Sequence, residues 1–236
     1  MNRRHFFQSM TAAAGAAALP FPAMAQAAPA KSPSPLLFDN PLRSPLRGWH
    51  GQDVQCESAL IEGKLPAELR GVFYRNGPGL FERGGQRYSH WFDGDGLVHA
   101  WRFTDQGVSH RARFVKTGKF KAEQEANEFL YPAFGSAIRP KRPIRSNDSM
   151  NTANTNAVLL GDKVLAMWEG GSAWNLDPES LATRGIVSWR DDLKGMPFSA
   201  HPKLETDGTL WNFGAFDNHL VLYRISPDGS LNKSEI

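Results

Sequence analysis

The chain has one cysteine, Cys56, among 236 residues. A single thiol cannot form an internal disulfide, and without a CxxC pair the sequence has no thiolate pattern for a zinc or redox site. The GxSxG and HExxH motifs are also missing, so no sequence motif supports a serine hydrolase or a zinc protease. Stability must therefore come from the packing of a hydrophobic core.

The sequence also has little excess charge of either sign. Lys and Arg number 27 against 24 Asp and Glu, a formal net charge of +3. Arg3 and Arg4 carry two of these charges, which leaves the rest of the chain nearly neutral. Because nucleic-acid binding needs a concentrated basic face, no nucleic-acid partner is expected.

The first 25 residues have the pattern of a twin-arginine signal peptide. Arg3 and Arg4 precede a weakly apolar stretch at 11–19 and a small-residue cleavage site at 23–25. The alternative is an uncleaved membrane anchor, which would need roughly 20 strongly apolar residues, whereas this segment is mostly alanine. We therefore predict export to the periplasm by the twin-arginine route. That route carries folded proteins, which suits a protein that acquires a metal or cofactor before export.

The remaining residues divide into an arm and a strand-rich region. Residues 26–47 contain five prolines and predict an extended surface arm. From 48 to 236, β-branched and aromatic runs alternate with Gly, Asp and Asn, a pattern typical of strands and turns. Three hairpins are predicted, namely 98–103 with 108–115, 157–160 with 163–168, and 209–215 with 220–225.

These hairpins recur about 55 residues apart, as expected for propeller blades or for a strand-rich sandwich. We favour blade repetition, and blades of about 40–50 residues would allow roughly four to five of them. The glycine-rich segment 75–79 predicts a turn. Residues 121–150 have little strand character and contain the basic cluster 139–143, so they predict a long loop.

Two residues stand out as candidates for a metal centre. His201 precedes Pro202, which biases the histidine to an extended conformation and aims its imidazole in one direction, as a metal ligand requires. Glu169 follows a strand-like run and could be a solvated strand end or the partner of an imidazole. A lone histidine is more often structural than a ligand, and His219, in a predicted turn, has nothing to raise it above that expectation.

The segment 90–96 suggests a calcium loop, because Asp93 and Asp95 flank a glycine. The EF-hand pattern fails beyond that point, since Leu97 and Thr104 stand where an oxygen ligand and a Glu are needed. A tight turn that feeds a strand at 97–103 is the favoured interpretation.

The apolar run 129–134 lies next to the basic residues of 139–145. This combination could contact a membrane and admit a lipophilic substrate. The alternative, a loop packed on the fold, is favoured because the run has no helical periodicity.

Several segments together resemble the carotenoid cleavage oxygenase family, which includes carotenoid, apocarotenoid and lignostilbene dioxygenases. They follow the family's order and lie at 65–78, 90–100, 115–117, 154–156, 168–171 and 200–203. One such match would be weak, whereas six in order are a specific signal.

The resemblance implies an all-β, seven-bladed propeller with a non-heme Fe(II) on its axis, held by four histidines. Such a protein would cleave a C=C bond of an apolar polyene or stilbene-type substrate with O2, giving carbonyl products. His201 resembles the first iron ligand, and Glu169 resembles a carboxylate that orients a ligand imidazole. Family chains are considerably longer, with their other ligands in the later part. The resemblance therefore implies that 48–236 is the N-terminal part of an incomplete propeller and is inactive alone.

Two alternatives from other classes stay open. The first is a non-catalytic, exported β-rich module that binds a partner through exposed sheet edges. The second is a sugar-binding periplasmic protein, suggested by the 11% aromatic content. The second is less favoured, because the aromatics lie mostly in strand-like runs, as core residues would.

Overall fold

A computed structural model describes residues 48–50 and 52–235. The predicted signal peptide (1–25) and proline-rich arm (26–47) lie outside the described residues. The strands are β1 (Val54–Cys56), β2 (Gly71–Leu80), β3 (Glu82–Arg83), β4 (Gln86–Arg87), β5 (Asp95–Thr104), β6 (Gly107–Phe114), β7 (Asn156–Leu160), β8 (Lys163–Met167), β9 (Trp174–Leu176), β10 (Thr183–Ile186), β11 (Lys203–Leu204), β12 (Leu210–Phe216), β13 (His219–Ile225) and β14 (Leu231–Glu235). The helical segments of the described part are α1 (Gly118–Ala126) and the 3₁₀ turns Trp91–Asp93, Asn147–Met150 and Asp191–Leu193.

Most strands belong to three four-stranded antiparallel sheets that follow one another along the chain. Sheet 1 has the order β1-β6-β5-β2, sheet 2 the order β10-β9-β8-β7, and sheet 3 the order β11-β12-β13-β14. Strands β3 and β4 form a small separate hairpin. The three predicted hairpins are confirmed as β5–β6, β7–β8 and β12–β13. The chain thus forms one local antiparallel sheet after another, which is the repetition of blade-like units that the sequence predicted.

The prediction of a turn at 75–79 is wrong, because these residues lie inside β2 and pair with β5. Pro78 is tolerated there because β2 is an edge strand, and the register shifts between Pro78 and Leu80. Gly79 is required by close packing, since a Cβ at this position would lie 2.5 Å from the Cβ of Leu97. Glycine and proline here mark a tight, bulged edge strand.

The prediction of a loop without regular structure over 121–150 is wrong at both ends, which contain most of α1 and a 3₁₀ turn. Thr117 caps α1 by accepting a hydrogen bond at Oγ1 from the Phe120 amide at 3.0 Å. Asn127 ends the helix in the left-handed region, with φ 48°. The buried side chains of α1 are Lys119 and Glu123, so the helix has no apolar stripe for the sequence to reveal.

The favoured interpretation of 90–96 is confirmed, because the 3₁₀ turn Trp91–Asp93 leads directly into β5. Asp95 accepts hydrogen bonds from Arg83 (2.8 Å) and Lys119 (3.0 Å), both buried. Its charge is thus balanced by protein cations, and the calcium alternative finds no support.

Strand β8 is buried on both faces and joins two hydrophobic cores. Val164 and Ala166 belong to the core between sheets 1 and 2, and Leu165 and Met167 to the core between sheets 2 and 3. Alternation along the strand thus sends side chains into each core in turn. The strand ends two residues before Glu169, so a fully buried stretch of chain closely precedes this carboxylate.

The apolar run 129–134 divides into a packed part and an exposed part. Phe129 is buried and stacks on Tyr88, with ring centroids 4.0 Å apart, and Leu130 is buried beside it. Phe134, by contrast, is 79% exposed. Within the described residues, no helix has the length and apolar character needed to cross a bilayer.

Candidate metal centre

The two predicted site residues, His201 and Glu169, are in direct contact. His201 Nε2 lies 2.6 Å from Glu169 Oε1. Glu169 follows the end of β8, and His201 precedes β11, so sheets 2 and 3 each contribute one of the two residues. The packing of these sheets therefore brings together two side chains that are far apart in the sequence.

Ser199 completes the surroundings of the carboxylate. Its hydroxyl donates to Glu169 Oε2 at 2.9 Å, so both carboxylate oxygens are engaged. The Ser199 backbone has φ 63°, the left-handed region that non-glycine residues seldom adopt. This conformation is therefore imposed by the surroundings of the segment that leads to His201.

The His201–Glu169 pair faces solvent, with the side chains 67% and 50% exposed. An exposed pair of this kind contributes only about 0–1 kcal/mol to folding stability. The main effect of the contact is on the imidazole of His201. The Glu169 oxygen accepts the proton of the ring nitrogen that faces it, and this fixes the direction of the ring and its tautomer.

The contacts of His201 are compatible with those of a histidine that binds a metal. One ring nitrogen of His201 is held by a carboxylate, and Nδ1 has no hydrogen-bond partner within the described part of the chain. Metal-bound histidines characteristically donate their second ring nitrogen to a carboxylate in this way, and imidazole suits iron. No group of three or more His, Cys, Asp or Glu side chains able to hold a metal occurs among residues 48–50 and 52–235. The described residues thus offer one candidate ligand, His201, with a carboxylate in contact with it.

The other histidines behave differently. His219 begins β13 beside the turn at Asp217, and no described hydrogen bond or ion pair joins it to His201 or Glu169. His99 and His110 form a separate pair on sheet 1, with Nδ1 and Nε2 3.0 Å apart. Burial, the adjacent His110 and Arg75 lower the pKa of His99, and burial lowers the pKa of His110. Both rings are therefore neutral near pH 7, and one donates an N–H to the other.

Residues 49–236 match the family described as RPE65, retinal pigment epithelial membrane protein. The chain belongs to this carotenoid cleavage oxygenase family. It is 40% identical over 176 residues to apocarotenoid-15,15'-oxygenase of Synechocystis, an alignment that covers 70% of this chain and 35% of that protein. It is 32% identical over 177 residues to lignostilbene-alpha,beta-dioxygenase isozyme III of Sphingomonas paucimobilis, covering 72% of this chain and 36% of that protein.

Solved structures of the carotenoid cleavage oxygenase family agree with the fold. A variant of the Synechocystis apocarotenoid oxygenase superposes with a TM-score of 0.71 at 33% identity, covering 87% of this chain and 45% of that one. A cobalt-substituted form of the same oxygenase gives a TM-score of 0.66 at 35% identity, over 80% of this chain and 42% of that one. The three sheets are accordingly consecutive blades of the family's propeller. The chain spans about a third of the length of the curated relatives it matches.

The sequence predicted His201 and Glu169 as candidate site residues in this member of the family, and the structure places them in contact. The sequence itself does not indicate two further residues that contact this pair or the backbone next to it. Ser199 lies two residues before His201 and 30 positions after Glu169, so no local pattern indicated its hydrogen bond to that carboxylate. Asn156, whose amide donates to the Ala200 carbonyl at 2.9 Å, lies in a segment that carries the family resemblance. Its partner is 44 positions away, so no local pattern indicated what it binds.

Proposed function

We propose that this chain supplies part of the active centre of an exported, non-heme Fe(II) dioxygenase. The enzyme would cleave one C=C bond of an apocarotenoid, carotenoid or stilbene-type substrate with O2 and release carbonyl products. The observation that carries the proposal is the 40% identity to apocarotenoid-15,15'-oxygenase, in a chain where His201 meets Glu169. The 32% identity to a lignostilbene dioxygenase supports a stilbene-type substrate as the alternative.

Each site residue has a defined task in this proposal. His201 would hold the iron through one imidazole nitrogen, while Glu169 accepts the N–H of the other and so fixes the tautomer. Ser199, bound to the second carboxylate oxygen, keeps Glu169 from turning away. The iron, when bound, supplies the centre at which O2 is activated.

We further propose that the 236 residues are inactive by themselves. The chain spans about a third of its curated relatives, and the described residues offer one imidazole of the four that the family resemblance implies. One imidazole does not bind Fe(II) tightly enough to exclude water or to position a substrate. The 236-residue chain should therefore give no carbonyl product above a control with His201→Ala.

The activity test uses the protein encoded by the chain together with any coding sequence that follows Ile236 in the source DNA. Purified protein is supplied with Fe(II), O2 and either an apocarotenoid or a stilbene, and carbonyl products are measured by chromatography. We expect His201→Ala to reduce turnover by at least about 10²-fold, since a metal ligand is lost, whereas His219→Ala changes it less than about twofold. Equal turnover in the two variants would overturn the proposal, and the better substrate identifies the class.

We also propose that the protein contacts membranes through an exposed aromatic cluster formed by Trp91, Phe92 and Phe134. Their exposed fractions are 49%, 58% and 79%, and the Phe92 and Phe134 rings lie 6.0 Å apart. The exposed basic segment 139–145 follows closely in the chain, and such aromatic and cationic groups favour an anionic lipid surface. A lipophilic substrate would enter from there.

The membrane proposal is tested by sedimentation with anionic liposomes. Replacing both Phe92 and Phe134 with Ser should weaken binding about tenfold or more, because two apolar side chains no longer enter the lipid. Phe73→Ser is the matched control, since Phe73 is also 58% exposed but lies on β2. Unchanged binding of the double variant would remove the membrane contact.

Export is proposed from residues 1–25 and is tested by fractionation. A reporter fused after residue 25 should reach the periplasm and should stay in the cytoplasm when Arg3 and Arg4 are both replaced by Lys. Export that does not depend on this arginine pair would contradict the twin-arginine route.

A further inference from the structure

The backbone that leads to His201 is held by side chains from three strands. We call residues 197–200 the lead-in segment. The Pro197 carbonyl accepts from Tyr223 Oη at 3.3 Å, the Phe198 carbonyl accepts from the buried amide of Asn212, and the Ala200 carbonyl accepts from Asn156 Nδ2 at 2.9 Å. Burial raises the pKa of Tyr223 to about 12, so its hydroxyl remains a donor at neutral pH.

The lead-in segment is also pressed against sheet 3 and strained. A Cβ on Gly214 of β12 would lie 1.6 Å from the Pro197 carbonyl oxygen, so only glycine permits this approach. Ser199 has φ 63°, a conformation that persists only where surrounding contacts over-determine it. The segment thus depends on its hydrogen bonds to keep its path.

Among these bonds, that of Asn156 acts closest to His201, on the peptide that joins Ala200 to it. The Asn156 amide has a defined orientation, because its Oδ1 accepts from the Ala157 amide at 2.8 Å and so leaves Nδ2 to donate to Ala200. The Asn156 backbone is itself held, since its carbonyl accepts from Asn76 Nδ2 at 3.0 Å. The donor is therefore fixed at both its side chain and its main chain.

The same arrangement occurs one sheet earlier. Asn76 of β2 donates to the Ala153 carbonyl at 2.7 Å, ahead of β7, just as Asn156 of β7 donates to Ala200 ahead of β11. Ala153 has a left-handed backbone, with φ 46°, and in the later segment Ser199, one residue before Ala200, has one as well. The first strand of the β2-β5-β6 meander and of sheet 2 each provide an asparagine that fixes the entry to the following sheet.

We propose that Asn156 is a positioning residue for His201. Because the His201 side chain is 67% exposed, packing does not orient it, and its direction depends on Glu169 and on its own backbone. Without the Asn156 amide, the buried Ala200 carbonyl loses its donor and the peptide before His201 can rotate. The imidazole then leaves Glu169 and loses its single tautomer. The consequence for metal binding rests on the proposed function, whereas the positioning itself does not.

The experiment compares variants of the protein expressed from its full reading frame. Asn156→Ala removes the donor, and Asn156→Asp keeps the shape but cannot donate. Asn154→Ala is the matched control, since Asn154 donates instead to the carbonyls of Phe92 and Gly94. Asn156→Ser replaces the alanine variant if that variant does not fold.

The first readout is the ¹⁵N spectrum of the histidine rings in the metal-free protein, with His201 assigned by its loss in His201→Ala. We expect one tautomer, protonated at Nε2, in the wild type and in Asn154→Ala, and an averaged tautomer signal in both Asn156 variants. A His201 signal that stays the same in the Asn156 variants would overturn the proposal.

The second readout is the affinity for Co(II), measured by its absorption spectrum without O2. We expect the Asn156 variants to bind about tenfold more weakly, because an imidazole that is not pre-oriented binds a metal less well. If His201→Ala does not alter the Co(II) affinity but the Asn156 substitutions change the tautomer signal, the proposed metal binding by His201 is wrong and the positioning role of Asn156 is supported. If His201→Ala abolishes Co(II) binding and the Asn156 variants match the wild type in both readouts, the positioning role of Asn156 is wrong and the proposed metal binding by His201 is supported.

Discussion

Lys119 is a fully buried cation that lies between two buried carboxylates. Its Nζ contacts Asp95 Oδ1 at 3.0 Å and Glu123 Oε2 at 2.7 Å, and Arg83 binds the other oxygen of Asp95. Burial alone would lower the pKa of Lys119, but the charge of Asp95, with smaller contributions from Tyr88 and Glu123, raises it above its ordinary value. The network has two charges of each sign and joins α1 to β3 and β5.

Removing Lys119 should be costly because two carboxylates would stay buried with one cation. We expect Lys119→Met to lower the free energy of unfolding by about 3–5 kcal/mol in urea titrations. Lys121→Met is the matched control on the same helix, where the side chain is exposed, and should change stability by less than about 0.5 kcal/mol. Equal effects of the two substitutions would contradict the network.

The His99–His110 pair makes stability depend on pH. Both folded pKa values are lowered from the unfolded value of about 6.5, so the unfolded chain binds more protons as the pH falls through that value. Stability contributed by the neutral pair is therefore complete above about pH 7.5 and is lost as the pH falls below about 6.5. In unfolding titrations from about pH 8 to 5, the double variant His99→Gln/His110→Gln should have a smaller loss than the wild type. A pH slope equal to that of the wild type would refute this account.

At the scale of an element, β12 carries a glycine that sets the path of the lead-in segment. Gly214→Ala would place a Cβ 1.6 Å from the Pro197 carbonyl oxygen, so either the strand or the segment must move. We expect a loss of about 1–3 kcal/mol in unfolding free energy and a changed His201 ring signal. Gly77→Ala in β2 is the control, because a Cβ there meets no atom within 4 Å. A normal His201 signal in Gly214→Ala would contradict this role.

The elements differ in how well the sequence predicts them. The hairpins β5–β6, β7–β8 and β12–β13 were predictable because alternating residues and Gly or Asp turns are local signals. Helix α1 was not predictable, because its buried face is charged. Glycine and proline in the edge strand β2 indicate a turn to sequence analysis, although these residues pair with β5. The roles of His201 and Glu169 are predicted from the family resemblance, and the structure shows that the two side chains are in contact. The hydrogen bonds of Asn156 depend on contacts between sheets that no local pattern encodes.

At the scale of the whole molecule, the outer face of sheet 3 is apolar and exposed. Trp211, Leu220 and Leu222 share this face and are 38%, 50% and 42% exposed. Apolar faces of this kind associate with other surfaces in water. We expect the 236-residue chain to self-associate in analytical ultracentrifugation, and Leu220→Lys/Leu222→Lys to reduce the association. A monodisperse chain with a cooperative melt would favour the alternative of a stable, non-catalytic binding module.

The most direct test of the account is the iron content of the protein expressed from its full reading frame. Protein loaded with Fe(II) without O2 and freed of excess metal should hold about one iron per molecule, as expected for a single non-heme site. His201→Ala should lose nearly all of it, and His219→Ala should retain it. Iron retained at the wild-type level by His201→Ala would show that His201 does not hold the metal and would contradict the central claim.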